Sequence, residues 1–358
     1  MTVTALPGFR SLVTCHCVTG SMRQVYAFHG DGISEEMLLG LGDGVGFIYW
    51  HMRGAPPMLG GRANVGRPGE AGLERLAGRR TGVAVESRET ASAARAEAAL
   101  LEALAGGEPV MVQVDMGELG YLGMPAGYHF GGHVVVVAGA DPESRTALVA
   151  DRDAPLHAVS LDELDRARGS PCRPWPPRRR WWSFDFSAVR EPRAAEVREA
   201  IAETATAMLE APIANLGVRG IRTAATRIRG WPAALGARGL TAACINGFTM
   251  IDARGGTGGG CFRSMYATFL KEAAMITSEP AFACAGAAMA EIASSWQEVA
   301  EALQGAATAA QPEPWLARGA GLLAQIADRE EAAWAGLRQL AGGRPAVRPL
   351  AEPSGRTG

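Results

Sequence analysis

The sequence predicts an α+β protein in two parts, and three observations carry that reading. Up to the boundary near Val189, short β-branched runs, such as Val134-Val135-Val136-Val137, are interspersed with stretches of helical periodicity. Residues 193–345 are rich in alanine, arginine, glutamate and leucine at helical spacing, and strand-like runs are nearly absent. The character changes at Val189-Arg190-Glu191-Pro192. At 358 residues the chain is long for one domain. Residues 1–189 are therefore expected to form a mixed first domain, 190–345 a mostly helical second domain and 346–358 a flexible tail.

The elements follow in order. Residues 1–12 read as an extended lead-in. Val18, Met22, Val25 and Tyr26 recur on one helical face until His29-Gly30-Asp31-Gly32 breaks the pattern, which puts Cys17 in or beside a first helical turn. Ser34 opens a second helix with two acids in its first turn. The Gly, Pro and Arg density between Trp50 and Gly72 predicts an irregular loop that could wall a cleft. A short strand is expected near residues 82–85, a helix over 90–105 stopped by Gly106-Gly107, and a strand over 109–115. Gly131 to Gly139 reads as a strand with His133 at its mouth, Asp141-Pro142-Glu143-Ser144 as a turn, and Thr146 to Ala150 as the returning strand. Ser160-Leu161-Asp162-Glu163 is a capping box for a helix ended by Gly169, after which Pro171 to Pro177 interrupts regular structure. Helices are then expected at 193–211, 262–276, 281–304 and 313–341, with no internal repeat.

Composition narrows the function classes. A net charge of −2 leaves no basic footprint for nucleic acid. Lys271 is the only lysine among 35 basic residues, a GC-rich bacterial coding bias that leaves little room for lysine-based covalent chemistry. The six cysteines show no CxxC spacing, and neither a signal peptide nor a long apolar span is present, so a reducing cytoplasm is the expected setting.

Cys17 and His133 are the parts of a thiolate nucleophile. A helix N-terminus stabilises an anion through unpaired N–H groups and the helix dipole, so a thiol there should lose its proton more readily. The hairpin after His133 could bring Asp151 beside the imidazole, where a carboxylate would orient and charge it. Each assignment has a plainer rival: Cys17 as a small buried hydrophobe, His133 as a core histidine, and Asp151 as a turn acid, with Asp153 its competitor. Cys15-His16-Cys17 and the spacing of His129 and His133 evoke metal ligands, but Phe130-Gly131-Gly132 argues against a helix and the glutamate of a zinc helix is missing, so no metal is expected. The run Gly255 to Gly260 lacks GK[ST] and follows no clear strand. A flexible loop is the simpler reading, with Arg263 beside it as a holder of a pantetheine phosphate and Cys261 as a rival nucleophile.

Several separated motifs in order carry a family resemblance. His16-Cys17 before a helix, Ser34-Glu35-Glu36-Met37-Leu38-Leu39-Gly40-Leu41-Gly42 with Gly44, Gly46, Phe47 and Tyr49, the Gly60-Gly61-Arg62 turn, His129-Phe130-Gly131-Gly132-His133-Val134-Val135 and Ala150-Asp151-Arg152-Asp153 together resemble the N-terminal domain of the butirosin-biosynthesis acyltransferase family. The second half, around Gly255 to Gly260 and Phe262-Arg263-Ser264-Met265-Tyr266, is similar to the domain of unknown function that often follows it.

The resemblance implies a papain-like, C39-peptidase-like first domain that moves an acyl group from a carrier-protein thioester to an amine. It makes Cys17 the nucleophile, His133 the base and Asp151 the orienting acid of a ping-pong transfer through an acyl-Cys17. The expected partners are an acyl carrier protein or other thioester donor and a small-molecule amine, with no nucleic acid or membrane and with homodimerisation open. No cofactor is expected beyond a phosphopantetheine that carries the substrate. His129, Phe130, Tyr49, Trp50 and Arg62 are the candidate substrate-binding residues, and Phe47, Tyr121 and Tyr128 add to the aromatic candidates for a water-excluding wall, although core packing explains most of these rings equally well. One departure stands out: C39 peptidases carry a glutamine a few residues before the cysteine, and here that region offers only Gly8-Phe9-Arg10-Ser11, so the Cys17 N–H is the first choice of oxyanion donor. A hydrolase using the same three residues, whether peptidase, amidase or thioesterase, and a non-catalytic binding protein on a decayed papain-like fold remain as alternatives.

Overall fold

The structure, a computed structural model, describes residues 3–52, 55–66 and 72–342. The tail expected after Gly342 lies outside the described residues. Helices α1 (Cys17–Phe28) and α2 (Glu35–Leu41) are each started by a side-chain cap, with His16 accepting from the Thr19 N–H and Ser34 from the Met37 N–H. β1 (Val45–Trp50) and β2 (Met58–Arg62) then pair as a separate antiparallel hairpin. They are followed by α3 (Leu73–Thr81), β3 (Ala84–Arg88), α4 (Ala93–Ala105), β4 (Val110–Val114), β5 (His133–Asp141), β6 (Thr146–Ala150), β7 (Leu156–Ser160), α5 (Leu161–Gly169) and β8 (Trp181–Asp185). The last six strands form one sheet in the order β3-β8-β4-β5-β6-β7, antiparallel throughout.

Burial on both faces explains the unbroken valine run of β5. Val135 and Val137 pack with Val112 and Val149 against Leu100 and Leu104 of α4 and Leu161 and Leu164 of α5. Val136 and Ala138 face the other way, where Val25 of α1 covers them. A strand covered twice has no solvent face on which polar residues could alternate.

From Ala194 onward every regular element among the described residues is helical: α6 (Ala194–Leu209), α7 (Gly217–Arg227), α8 (Trp231–Ala234), α9 (Ala237–Thr249), α10 (Arg263–Thr277), α11 (Ala281–Thr308) and α12 (Glu313–Leu340). One buried cluster nevertheless runs from Val18 of α1 to Leu337 of α12. The change at residues 189–192 is thus one of secondary structure, and the two segments share a core.

The irregular loop expected after Trp50 is corrected by β2, which the glycines at 60 and 61 conceal from a propensity reading. Gly61 has a packing reason, since a Cβ there would fall 2.5 Å from Cys261 Sγ. Strands β7 and β8 and helices α7 and α9 were also not expected. β8 follows a proline-rich stretch and three arginines, and it becomes a strand by inserting between β3 and β4. Gly217, Gly220, Gly239 and Gly247 weaken the helical signal of α7 and α9, which form because tertiary packing buries Ile221, Ala224 and Cys244.

Arg263 bolts the β1–β2 hairpin to the helices. It is fully buried against the fully buried Glu330, with two contacts of 2.8 Å. Trp296 and Trp334 donate to the same carboxylate at 2.7 and 2.9 Å, and Arg263 donates to the Gly46 and Cys261 carbonyls. This overturns the phosphate-holding role considered for Arg263, whose donors are spent inside the core. Removing the counter-charge should be costly, because an uncompensated buried cation then remains. Glu330→Gln is expected to lower the unfolding free energy in urea by about 3–5 kcal/mol, whereas Asp328→Ala, which opens an exposed pair with Arg222, should cost no more than about 1 kcal/mol.

Candidate active site

The site is built around the first turn of α1. Glu35, at the start of α2, accepts from the Cys15 N–H at 2.9 Å, the His16 N–H at 2.6 Å and the Thr19 hydroxyl at 3.1 Å. One buried carboxylate therefore holds the turn that presents Cys17. Gly20 lets the lead-in lie against the helix, since a Cβ there would come within 2.3 Å of Thr14 Oγ1. Farther along α1, Ser21 donates to the Val134 carbonyl at 3.2 Å and Gln24 donates to the Asp151 carbonyl at 2.8 Å. These bonds set the helix against β5 and against the residue that follows β6.

That seating brings Cys17, His133 and Asp151 together. The Cys17 thiol lies near enough to the His133 ring for each to shift the other's hold on its proton. His133 Nε2 lies 2.8 Å from Asp151 Oδ2, which leaves Nδ1 as the ring nitrogen for the thiol. Tyr121 donates its hydroxyl to the same Asp151 oxygen at 2.9 Å and stacks on His157 at 4.1 Å. Asp153, the competitor of Asp151, pairs with His157 instead. His133 and Asp151 are buried, while Cys17 is partly exposed. The first turn also supplies backbone donors: the Thr19 N–H is capped by His16 and the Gly20 N–H by the His16 carbonyl, and helix geometry leaves the Cys17 and Val18 N–H groups without an intrahelical acceptor.

The electrostatics favour an ion pair. Burial pushes the Cys17 thiol up, but the neighbouring His16 ring and hydrogen bonds with His133 and His16 pull it well below its ordinary value. Burial disfavours charge on His133 too, yet its hydrogen bonds with Asp151 and Cys17 raise it to about 9. For Asp151, desolvation is outweighed by His133, Tyr121 and Arg152, and the carboxyl falls below its usual range. Between the lowered thiol pKa and about 9, the pair is thiolate and imidazolium backed by a carboxylate. Cys15 moves the opposite way, raised by partial burial and by Glu35 and Glu36. Cys261 is fully buried, and burial pushes its thiol up to about 12, which removes it as a nucleophile.

The candidate substrate-binding residues are scattered. Arg62 is near enough for the Cys17 thiolate to raise its pKa, although burial outweighs this and lowers it; its guanidinium donates to the Ala63 carbonyl. Trp50 is 43% exposed at the end of β1. Tyr49 is a core residue: it is buried, and its hydroxyl accepts from Trp231 Nε1 at 3.2 Å. Phe47 packs on Trp296 in the same core. His129 Nδ1 bonds Asp115 at 2.9 Å, and Phe130 packs edge-on against Trp175. Asp115, His129 and Cys172 present possible metal-ligand atoms within 4.8 Å of one another. Asp115 already takes the Gly117 and Phe130 N–H groups, the Ser170 hydroxyl and His129, so its evident work is to close the loop that leads to His133.

Sequence reasoning missed His16, Glu35 and Gln24 as parts of this site and took Tyr121 only for a wall. His16 carried a local signal, being the residue before a helix-start cysteine. The others did not, because their partners lie 16 to 127 residues away.

With this geometry in hand, comparison with known proteins is informative. Residues 16–152 match the family described as butirosin biosynthesis protein H, N-terminal, and residues 162–337 match a domain of unknown function, DUF4872. No curated protein is matched by the sequence. The first match spans α1, His133 and Asp151, and it agrees with a papain-like α+β fold in which a cysteine-bearing helix start meets an antiparallel sheet. The second begins inside α5, before β8 has completed the sheet. The chain is thus similar over residues 16–152 to the butirosin biosynthesis protein H, N-terminal, family, and over residues 162–337 to DUF4872.

Proposed function

We propose that this protein is a cysteine acyltransferase that accepts an acyl group from a thioester on Cys17 and passes it to an amine. The observation that carries the reading is the buried His133–Asp151 hydrogen bond beside Cys17, which begins a helix. Support comes from the family, which points to an acyltransferase-like biosynthetic domain. The Cys17 thiolate attacks the thioester carbonyl, the carbon–sulfur bond of the donor breaks, and the departing thiolate takes the proton from His133. An amine then attacks the acyl-Cys17 carbonyl, neutral His133 takes the amine proton, and Cys17 leaves as thiolate to restore the ion pair. Asp151, held by Tyr121 and by His133, keeps the ring oriented and its charged form stable. The Cys17 N–H is the oxyanion donor in this scheme. The donor is an acyl group on the phosphopantetheine of a carrier protein, and the protein needs no cofactor of its own.

Intact-mass measurement with an acyl-pantetheine thioester tests the nucleophile: the expected result is one acyl adduct that is lost in Cys17→Ala and kept in Cys15→Ala. An adduct that survives Cys17→Ala would refute the assignment. Adding an amine should convert the adduct to amide; release of free acid at the same rate with and without amine would make the protein a hydrolase. His133→Ala is expected to slow adduct formation by roughly 10²–10⁴-fold.

Alkylation by iodoacetamide gives an independent check on the ion pair. Cys17 should react at neutral pH well before Cys15, with a rate that is flat up to the loss of the His133 proton near about 9. His133→Ala should move the onset of Cys17 alkylation to higher pH. An unchanged onset would exclude the hydrogen-bonded pair.

A further inference from the structure

The loops around the head of β5 bring together three side chains that the acyl-transfer scheme does not use. Asp115 follows β4, His129 precedes β5, and Cys172 follows α5. Each offers one possible metal-ligand atom, and the three atoms lie within 4.8 Å of one another. Spacing alone paired His129 with His133 and gave no metal site. His133 bonds Asp151 instead, and the fold gives His129 different companions.

The carboxylate is oriented by the protein itself. Asp115 has no exposed surface, and its Oδ1 accepts from the Gly117 and Phe130 N–H groups at 3.0 and 2.9 Å. Oδ2 is thereby turned toward the other residues of the cluster. Ser170 donates to it at 2.6 Å, and His129 Nδ1 lies 2.9 Å away. The same Ser170 hydroxyl accepts from the Cys172 N–H at 3.3 Å, which ties the cysteine's backbone to the group. Ligating carboxylates are characteristically held by such outer hydrogen bonds, which fix their direction. The three loops are also in backbone contact. A Cβ at Gly117 would collide with the Tyr128 carbonyl, and one at Gly131 with the Trp175 carbonyl.

The donor set selects the ion. A thiolate, an imidazole and a carboxylate are ligands that zinc takes in tetrahedral geometry, here with a fourth position open to water. Magnesium and calcium favour oxygen throughout, which a thiol and an imidazole do not supply. Charge is balanced too, because a thiolate and a carboxylate together answer a dication. On binding, the Cys172 thiol loses its proton to solvent, and the neutral His129 ring carries its one proton on Nε2 so that Nδ1 can ligate. Tetrahedral zinc needs Nδ1 and Oδ2 to move apart by only roughly 0.5 Å. The His129 side chain is 33% exposed, which gives the ion a path from solvent.

We propose that Asp115, His129 and Cys172 form a zinc site that clamps the loops at the head of β5. Only Phe130, Gly131 and Gly132 separate His129 from His133. Two glycines make that span pliant, and a metal anchor at its start removes the freedom. The ion is a fastening for the strand that carries the imidazole, and it takes no part in acyl transfer. None of its ligands is Cys17, His133 or Asp151, so the site stands or falls independently of the acyl-transfer reading.

Binding is read with Zn²⁺ alone on the full-length protein after treatment with a chelator. The expected result is one tightly held zinc per chain and a rise in melting temperature when it is added. Co²⁺ in its place should show the near-ultraviolet charge-transfer band of a thiolate ligand. His129→Ala and Cys172→Ser should each weaken zinc binding by roughly 100-fold or more, and Ser170→Ala, which removes only an outer partner of the carboxylate, by roughly tenfold. Both ligand variants should keep the metal-free melting temperature of the wild type and lose the zinc-dependent rise. Cys17→Ser tests the rival cluster Cys15-His16-Cys17 and should leave the cobalt band in place. A wild-type protein that retains no zinc, a band that survives Cys172→Ser, or one that vanishes in Cys17→Ser would overturn the proposal.

Discussion

The seating of α1 on β5 is the constraint from which the site follows. Ser21 and Gln24, one helical turn apart on the same face, bond the Val134 and Asp151 carbonyls, and Val25 packs on Val136 and Ala138 below them. With the helix held at those points, its N-terminus can lie in only one place, at the mouth of β5. The thiol and the imidazole come close because two rigid elements are fastened behind them, and rigid elements hold a pair of side chains more precisely than loops do. Glu35 completes the fixation from α2 by taking the backbone donors of the turn itself.

Several buried charges among the described residues are answered by close partners. Glu35 lies among N–H groups, Arg263 faces Glu330, and His133 lies between a carboxylate and a thiol. Desolvation works against the charged form in each case; at His133 and Arg263 the partners outweigh it, whereas at Glu35 burial outweighs the N–H donors and keeps the carboxyl above its usual range. At Cys17 the balance falls toward the thiolate because two imidazoles and a helix N-terminus act together. At Cys261 only burial and the buried Arg263–Glu330 pair are near, and the same thiol chemistry is pushed out of reach. Environment separates two cysteines that both precede or start a helix.

The helical segment is more than an appendage. The β1–β2 hairpin belongs by sequence to the first segment, yet its Phe47 packs on Trp296 and its Tyr49 on Trp231. The Gly46 carbonyl is bound by Arg263, so the hairpin is held from the helical side. Gly256 also approaches the Cys15 carbonyl and Arg152, as the short contacts of a Cβ built there make plain. The segments matching two different families thus meet beside the start of α1.

Local pattern alone settled a good part of this protein. The helix beginning at Cys17, the doubly buried β5 with its turn, the serine-capped α5 whose Ser160 accepts from the Glu163 N–H, and the four longest-patterned helices of the second half are all readable from periodicity and punctuation, because their determinants lie within a few residues of one another. Cys17, His133 and Asp151 could be singled out by residue type and position. What only the tertiary structure decided was long-range. β8 is a strand because β3 and β4 leave a place between them, β2 is a strand because β1 pairs with it, and Tyr49 turned inward because Trp231 awaits its hydroxyl. The bonds of Tyr121, Gln24 and Glu35 into the site join residues far apart in the chain. A hydrogen bond between distant residues leaves no periodicity in the sequence, so its existence is settled when the backbone folds and not before.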